Sequence, residues 1–279
     1  MNNFTIVRNP KSGTIAWSED QMKYIISEYK KGETLSALGR EFGVSYSTIR
    51  NLLKRKGIKT EGNKHNFPRD EFYFSNIDSK EKAYWLGFLY ADGCVHSNSN
   101  EISITSKDRD HLEEFRKAIK SKNKISESID KRFSSMPKIY HFSIKDKQLK
   151  SDLIKWGCVP NKSLTLTKIP NIPRDFVSHF IRGYFDGDGS LHWLNGTKNF
   201  RISFVGTAPF LKDIQKELGL SLSLGQQKGN QSKYFQVAGR KQVPMILDYI
   251  YKDSDENIRL TRKYKNYLNC LTLAHRHWT

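Results

Sequence analysis

The sequence predicts an α+β fold: a small all-α unit followed by two pseudo-symmetric αββαββα lobes. Three observations carry this prediction. An apolar helical run ending in Asp-Gly occurs twice, as KAYWLGFLYADG closing at Gly93 and as HFIRGYFDGDG closing at Gly189. The pattern after each copy also repeats, as hairpin, helix, hairpin and helix. The chain further holds 47 Lys+Arg against 29 Asp+Glu, a net charge of +18 over 279 residues, which points to a polyanionic partner.

The segment from Ser18 to Lys59 reads as short helices separated by glycines. SEDQMKYIISEYKKG opens with a Ser N-cap and acids in the first turn, and stops at Gly32. TLSALGREFG and VSYSTIRNLLKRKG form two more helices around Gly43, with Leu38, Phe42, Val44, Ile49 and Leu52 spaced to close a small core. Gly39 supplies the small residue where the two cross. Tyr46, Ser47, Arg50 and Asn51 then face outward, with Lys54, Arg55 and Lys56 beyond. The stretch resembles the helix-turn-helix modules of bacterial DNA-binding proteins, which makes those four outward residues candidate DNA contacts over a domain of residues 1–60. A merely solvated basic face is the plainer alternative. GIKTEGNKHNFPRDEF is polar and aperiodic, so residues 61–77 are expected to be a linker.

The first lobe is expected over 78–168. SKEKAYWLGFLYADG is its opening helix, CVHS and EISITSKD are strands, and RDHLEEFRKAIK is a helix. KISESIDKRF and KIYHFSIKDK are strands, and LKSDLIKWG closes the round. The second lobe, 169–279, repeats this with FVSHFIRGYFDGDG, SLHWL, NFRISFVG, APFLKDIQKELG, SLGQQK, KYFQVAGRK and VPMILDYIY, and adds a last basic helix within ENIRLTRKYKNYLNCL. Asp92 and Ile102 lie 10 positions apart and Asp188 and Ile202 lie 14 apart, so the second hairpin is longer, around Asn195–Gly196.

Ala83, Gly87 and Ala91 fall at i, i+4 and i+8 of the first helix, and Gly183 and Gly187 hold the last two of those positions in the second. Such spacing places small residues on one helix face, where two backbones can come close. Packing through these faces sets Asp92 beside Asp188. Two carboxylates at the negative ends of two helices repel unless a cation joins them. A lone Asp-Gly after an apolar helix is an ordinary stop and turn; two copies opening two matching lobes argue for more.

Strands alternate faces. In EISITSKD, Ile102 and Ile104 oppose Ser103, Thr105 and Lys107, while in YHFSIKDK, Phe142 and Ile144 oppose His141, Ser143, Lys145 and Lys147. RISFVG sets Ile202 and Phe204 against Arg201, Ser203 and Val205, and YFQVAGR sets Phe235 and Val237 against Tyr234, Gln236 and Arg240. The apolar sides pack on helices. The other sides carry hydroxyls, amides and cations suited to duplex DNA, cations meeting phosphates and amides meeting base edges.

With these residues in place, the chain resembles the single-chain LAGLIDADG homing endonucleases. The nine-residue signature appears as WLGFLYADG (Trp85–Gly93) and IRGYFDGDG (Ile181–Gly189), and the likeness runs over roughly residues 70–272. The resemblance implies two lobes of one chain forming a DNA-binding saddle, with the two signature helices at their interface. It implies that Asp92 and Asp188 bind divalent metal, Mg²⁺ or a substitute such as Mn²⁺, and hydrolyse both strands of a long double-stranded DNA site. Tyr90 replaces the first acid of the motif in lobe one, while Asp186 keeps it in lobe two. Family members often place a Lys or Gln at the end of the second strand of a lobe. Here Ser106 and Lys107 stand there in lobe one, whereas Gly206 and Thr207 stand there in lobe two, where Arg240 or Lys241 is the alternative source of help. The catalytic set expected is thus Asp92, Asp188 and Lys107. The DNA contacts expected are Tyr46, Ser47, Arg50, Asn51, Ser103, Thr105, Lys145, Lys147, Arg201, Ser203, Gln236, Arg240 and Lys241.

The first residues lack the apolar core of a signal peptide, and no apolar run approaches bilayer length. Cys94, Cys158 and Cys270 are scattered and odd in number, which indicates neither a disulfide framework nor a zinc site. A monomeric, intracellular, cytoplasmic protein with no membrane partner is expected, of the kind carried by a mobile element in a phage or bacterium. Two other readings share the fold: a DNA-binding transcriptional regulator that does not cut, and an RNA-splicing maturase.

Overall fold

The structure is a computed structural model and describes residues 6–9, 13–60, 68–194, 199–226, 229 and 231–275. The chain divides into two compact units, Met1–Phe67 and Pro68–Thr279.

The first unit holds α1 (Glu19–Lys30), α2 (Leu35–Glu41) and α3 (Tyr46–Arg55). Ser18 and Gln21 form a reciprocal capping box at α1, and Thr34 and Ser45 cap the other two helices. Ile25, Leu35, Leu38, Phe42, Ile49, Leu52 and Leu53 close its core. Gly39 is needed where α2 meets the chain entering α3, because a Cβ there would lie 2.8 Å from the Val44 carbonyl oxygen. A two-stranded hairpin, β1 (Val7–Arg8) with β2 (Ile15–Ala16), precedes the helices; strands of two residues are too short to leave a periodic signal.

The second unit begins at Pro68, within the stretch expected to be a linker. That expectation fails for 68–77: Tyr73, Phe74 and Ile77 are buried in the core, Arg69 pairs with Asp146 at 3.0 Å, and Trp156 Nε1 donates to the Phe74 carbonyl at 2.7 Å. The aromatic cluster in EFYF outweighs the polar residues around it.

Lobe one runs α4 (Lys80–Asp92), β3 (Gly93–Val95), β4 (Glu101–Ser106), α5 (Arg109–Ala118), β5 (Ser126–Ile129), β6 (Lys138–Lys145) and α6 (Lys147–Lys155), followed by a short α7 (Lys162–Thr165). Lobe two runs α8 (Val177–Asp188), β7 (Gly189–Leu194), β8 (Asn199–Gly206), α9 (Ala208–Glu217), β9 (Gly225–Gln226), β10 (Lys233–Ala238) and α10 (Gln242–Tyr251), and ends in α11 (Thr261–His275). The turn expected around Asn195–Gly196 lies outside the described residues. The sheets have matching antiparallel orders, β3-β4-β6-β5 and β7-β8-β10-β9. Register places Ile102 opposite Ile144 and Ile202 opposite Val237, all buried. Among the described residues no helix is long and apolar enough to cross a membrane.

The two lobes meet where α4 crosses α8. A Cβ added at Gly87 would stand 2.0 Å from the Phe180 carbonyl oxygen, and one at Gly183 would stand 2.0 Å from that of Tyr84. Only glycine permits backbones this close. Tyr84, Trp85, Phe88, Phe180, Tyr184 and Phe185 bury around the crossing, so one core runs through both lobes.

Candidate active site

Each crossing helix ends in an Asp whose following Gly starts a strand without a connecting loop. The turn is sharp enough that a Cβ at Gly93 would lie 2.6 Å from the Leu89 carbonyl oxygen, and one at Gly189 would lie 2.5 Å from that of Phe185. A Cβ at Gly187 would lie 2.3 Å from Ala91 Cβ and 3.4 Å from Asp92 Cγ, so the ends of α4 and α8 lie side by side. Asp92 and Asp188 are brought together as the spacing predicted. Both remain exposed on one side while dense protein beneath strips part of their hydration. Burial, and then Asp188, push the Asp92 carboxyl up to about 6; burial also raises Asp188.

Two buried lysines stand behind the acids, and sequence reasoning missed both. Lys162, at the start of α7, donates to the carbonyls of Ala91 and Gly93. Lys263, in the first turn of α11, donates to the carbonyls of Phe185, Asp186 and Gly189. Each ammonium thus caps the C-terminal, negative end of its own lobe's signature helix. Both also lower the titration of both acids, against the effect of burial. Burial brings the Lys263 ammonium itself down to about 8. The available signal was positional: each lysine follows the closing helix of its lobe, in VPNKSL and RLTRKY.

The structure does not bring Lys107 to the acids. Its ammonium sits 4.8 Å over the Phe133 ring, and the cations that act on Asp92 are Lys263, Lys162 and Arg262. In lobe two, Thr207 donates to the Leu166 carbonyl, and Gly206 leaves room for the Tyr184 hydroxyl, 2.7 Å from where a Cβ would stand. A cleft of about 420 Å³ opens beside Asp188, lined also by Ala91, Ser163, Gly206, Thr207 and Ser232. Arg240 Nε donates to Asn199 Oδ1 at 3.2 Å, beyond the end of β10, and Lys241 stands at the N-cap position of α10.

Two carboxylates with hard oxygen atoms, held against each other's repulsion, fit a small divalent cation that takes one or two carboxylates and keeps its waters. Among the described residues no three His, Cys, Asp or Glu side chains group to hold a metal, so these acids would not form a closed cage. The carbonyls of Ala91, Gly93, Phe185, Asp186 and Gly189 beside them are engaged by the two lysines.

Of the residues expected to contact DNA, Ser103 pairs across the sheet with Cys94 and Ser143, and Thr105 pairs with His141, on the polar face of sheet one with exposed Lys145. His141 is tied down by Thr105 Oγ1 at 2.9 Å and Ser128 Oγ at 2.7 Å. Lys147 is not on that strand; it is the first residue of α6. In sheet two, Arg201 and Gln236 share a face with Ser203, which is buried and bonded to Ser190 Oγ at 2.6 Å, leaving its hydroxyl little freedom to contact a ligand. Ser47, Arg50 and Asn51 are exposed on α3 and Tyr46 is half-buried.

Comparison with known proteins agrees with this fold. Residues 79–151 match the family described as LAGLIDADG-like domain. A stretch of 207 residues, 68% of the chain, is 28% identical to the replication factor C small subunit of Methanocaldococcus jannaschii, and spans only 11% of that protein. Meganuclease I-SmaMI bound to uncleaveable DNA is similar in structure, at a TM-score of 0.50 and 14% identity over 72% of this chain and 92% of that one. A mutant of I-SmaMI gives 0.50 and 14% over 69% and 90%. At such identity the likeness is one of fold. Residues 79–151 thus match a LAGLIDADG-like domain, and the chain shares the fold of meganuclease I-SmaMI.

Proposed function

We propose that the protein is a site-specific DNA endonuclease that hydrolyses both strands of a long duplex site, with divalent metal held by Asp92 and Asp188. The observation that carries this reading is the abutting of the two signature helices, which sets those acids together above two buried ammonium groups. When bound, the metal supplies a Lewis acid for the attacking water and the leaving oxygen. Asp92 and Asp188 supply the anionic ligands and, once ionised, can orient a water through their free oxygens. Lys162 and Lys263 hold the helix ends in place and offset the carboxylates' charge, so the pair tolerates a phosphate arriving nearby. Ser103, Thr105, Lys145, Arg201 and Gln236 line the strand faces that would meet the duplex, with the cations on phosphates and the amide and hydroxyls on base edges. The three-helix unit would act as a helix-turn-helix that lengthens the recognised site through Arg50 and Asn51.

The test is selection of cut members from a randomised plasmid library, with Mg²⁺ and with EDTA. Linearised plasmids sharing one sequence, only with Mg²⁺, support the reading. A sequence that is bound tightly yet never nicked supports the non-cutting regulator instead. Deletion of residues 1–60 is expected to weaken binding to the selected site about ten- to a hundredfold, as loss of a separate DNA contact does, while cutting persists at high protein concentration.

A further inference from the structure

We propose that the residue two places before each helix-terminal acid is a positioning residue for the lysine of its own lobe: Asp186 places Lys263, and Tyr90 places Lys162. In lobe two, Asp186 is 1% exposed and its carboxylate accepts three hydrogen bonds. Oδ2 takes the Leu260 backbone N–H and the Tyr84 hydroxyl, each at 2.8 Å, and Oδ1 takes the Tyr251 hydroxyl. Leu260 is the residue on which α11 starts, since its carbonyl accepts from the backbone of Lys263 and Tyr264 at 3.0 Å each. Asp186 therefore grips the helix at its origin, less than one turn before the lysine it delivers.

In lobe one the same motif position is Tyr90, and its hydroxyl donates to the carbonyl of Trp156, the residue that ends α6. From there the chain reaches Lys162 in six residues, through Cys158, whose Sγ lies 3.6 Å from the Leu89 carbonyl, and Asn161, held at φ 56°. The two anchors have opposite polarity for a simple reason. Lobe two presents a backbone N–H at this point and needs an acceptor; lobe one presents a carbonyl and needs a donor. Space points the same way, because a Cβ at Gly157 would stand 2.4 Å from the Tyr90 hydroxyl oxygen. The departure of Tyr90 from the acidic motif is thus a change of means with the same end.

This inference rests on the proposed nuclease activity, and strand-resolved nicking separates the two. Supercoiled plasmid carrying the selected site is cut under single-turnover conditions, and each strand is followed on denaturing gels. Lys263→Met and Lys162→Met first identify the strand that each lysine serves. Asp186→Ala is expected to slow the Lys263 strand about tenfold or more, with the other strand within about twofold. Asp186→Asn restores most of the rate, since its Oδ1 can accept from Leu260 while Nδ2 donates to the Tyr251 oxygen. Tyr90→Phe is expected to slow the Lys162 strand alone, which keeps the test open if the buried Asp186→Ala does not fold. Combining Asp186→Ala with Lys263→Met adds nothing further on that strand. If wild type cuts but the Asp186 and Tyr90 variants slow both strands equally, or neither, the positioning roles are wrong while the nuclease reading stands. If wild type cuts no member of the library, the nuclease reading falls and this inference falls with it.

Discussion

The two lobes share an element order and differ in what they bury beneath it. Where lobe one has Leu86 and Tyr90 in its signature helix, lobe two has Arg182 and Asp186 at the matching positions. The Arg182 guanidinium is fully buried; it donates to the carbonyls of Ile250 and Ile258 at 2.8 Å each and meets His179 Nδ1 at 2.8 Å. Asp186 takes the Tyr84 hydroxyl across the lobe boundary, and because that proton is committed, His111 Nε2 must donate to the Tyr84 oxygen at 2.9 Å. Burial keeps His111 neutral, lowering its titration to about 3. Lobe two therefore clamps the segment leading to α11 with a charged network, whereas lobe one clamps its equivalent with one phenol. A duplicated frame can keep its outcome, a lysine capping each signature helix, while the buried chemistry that secures it diverges.

The symmetry of the helix crossing can be broken most severely. Gly183→Val puts methyl groups where the Tyr84 carbonyl already lies, and Gly87→Val does the same against Phe180. Each is expected to cost more than about 3 kcal/mol and to remove the cooperative unfolding of both lobes together in urea melts, since the core is continuous through the crossing.

This crossing was the most legible part of the sequence. Small residues at helical spacing and the repeated Asp-Gly ends located α4, α8 and the acid pair, because a backbone contact tolerates little beyond Gly and Ala. The strand faces were legible for Ile102, Ile104, Ile202 and Phe204, where alternation is clean. The lysines were not legible, because no local pattern marks a cation that reaches a helix end over seventy positions away in the chain, as Lys162 does to Ala91 and Lys263 to Phe185. Lys107 misled for the converse reason. The family resemblance implied a role for it at the end of a strand, whereas its ammonium stands over the ring of an exposed aromatic, Phe133. The segment 68–77 misled because Pro, Arg and Asp hid an aromatic anchor.

A milder comparison uses pH. In EDTA, the Asp92 carboxyl titrates near 6 in the folded protein against an ordinary 3.8, so the native state holds more protons than the unfolded one between those values. The contribution of Asp92 to stability must fall as pH rises through that window, against the rise contributed by the buried neutral His111 and His179. Asp92→Asn, neutral throughout, is expected to gain stability relative to wild type between pH 4 and pH 7, as read from urea midpoints. A constant difference across that range would show that Asp92 is not desolvated. The smallest effect is expected at Lys107: Lys107→Met should change nicking of either strand by no more than about twofold, against about tenfold or more for Lys162→Met or Lys263→Met. Equal effects would return the supporting role to the strand end.

The most direct measurement of the central claim is cleavage of the selected DNA site with Mg²⁺ by wild type, Asp92→Asn and Asp188→Asn, with binding of the same site measured alongside in EDTA. The account predicts that each variant binds within about threefold of wild type and loses double-strand cutting by about a hundredfold or more. Cutting by either variant at the wild-type rate would contradict the assignment of Asp92 and Asp188 as the pair that holds the metal.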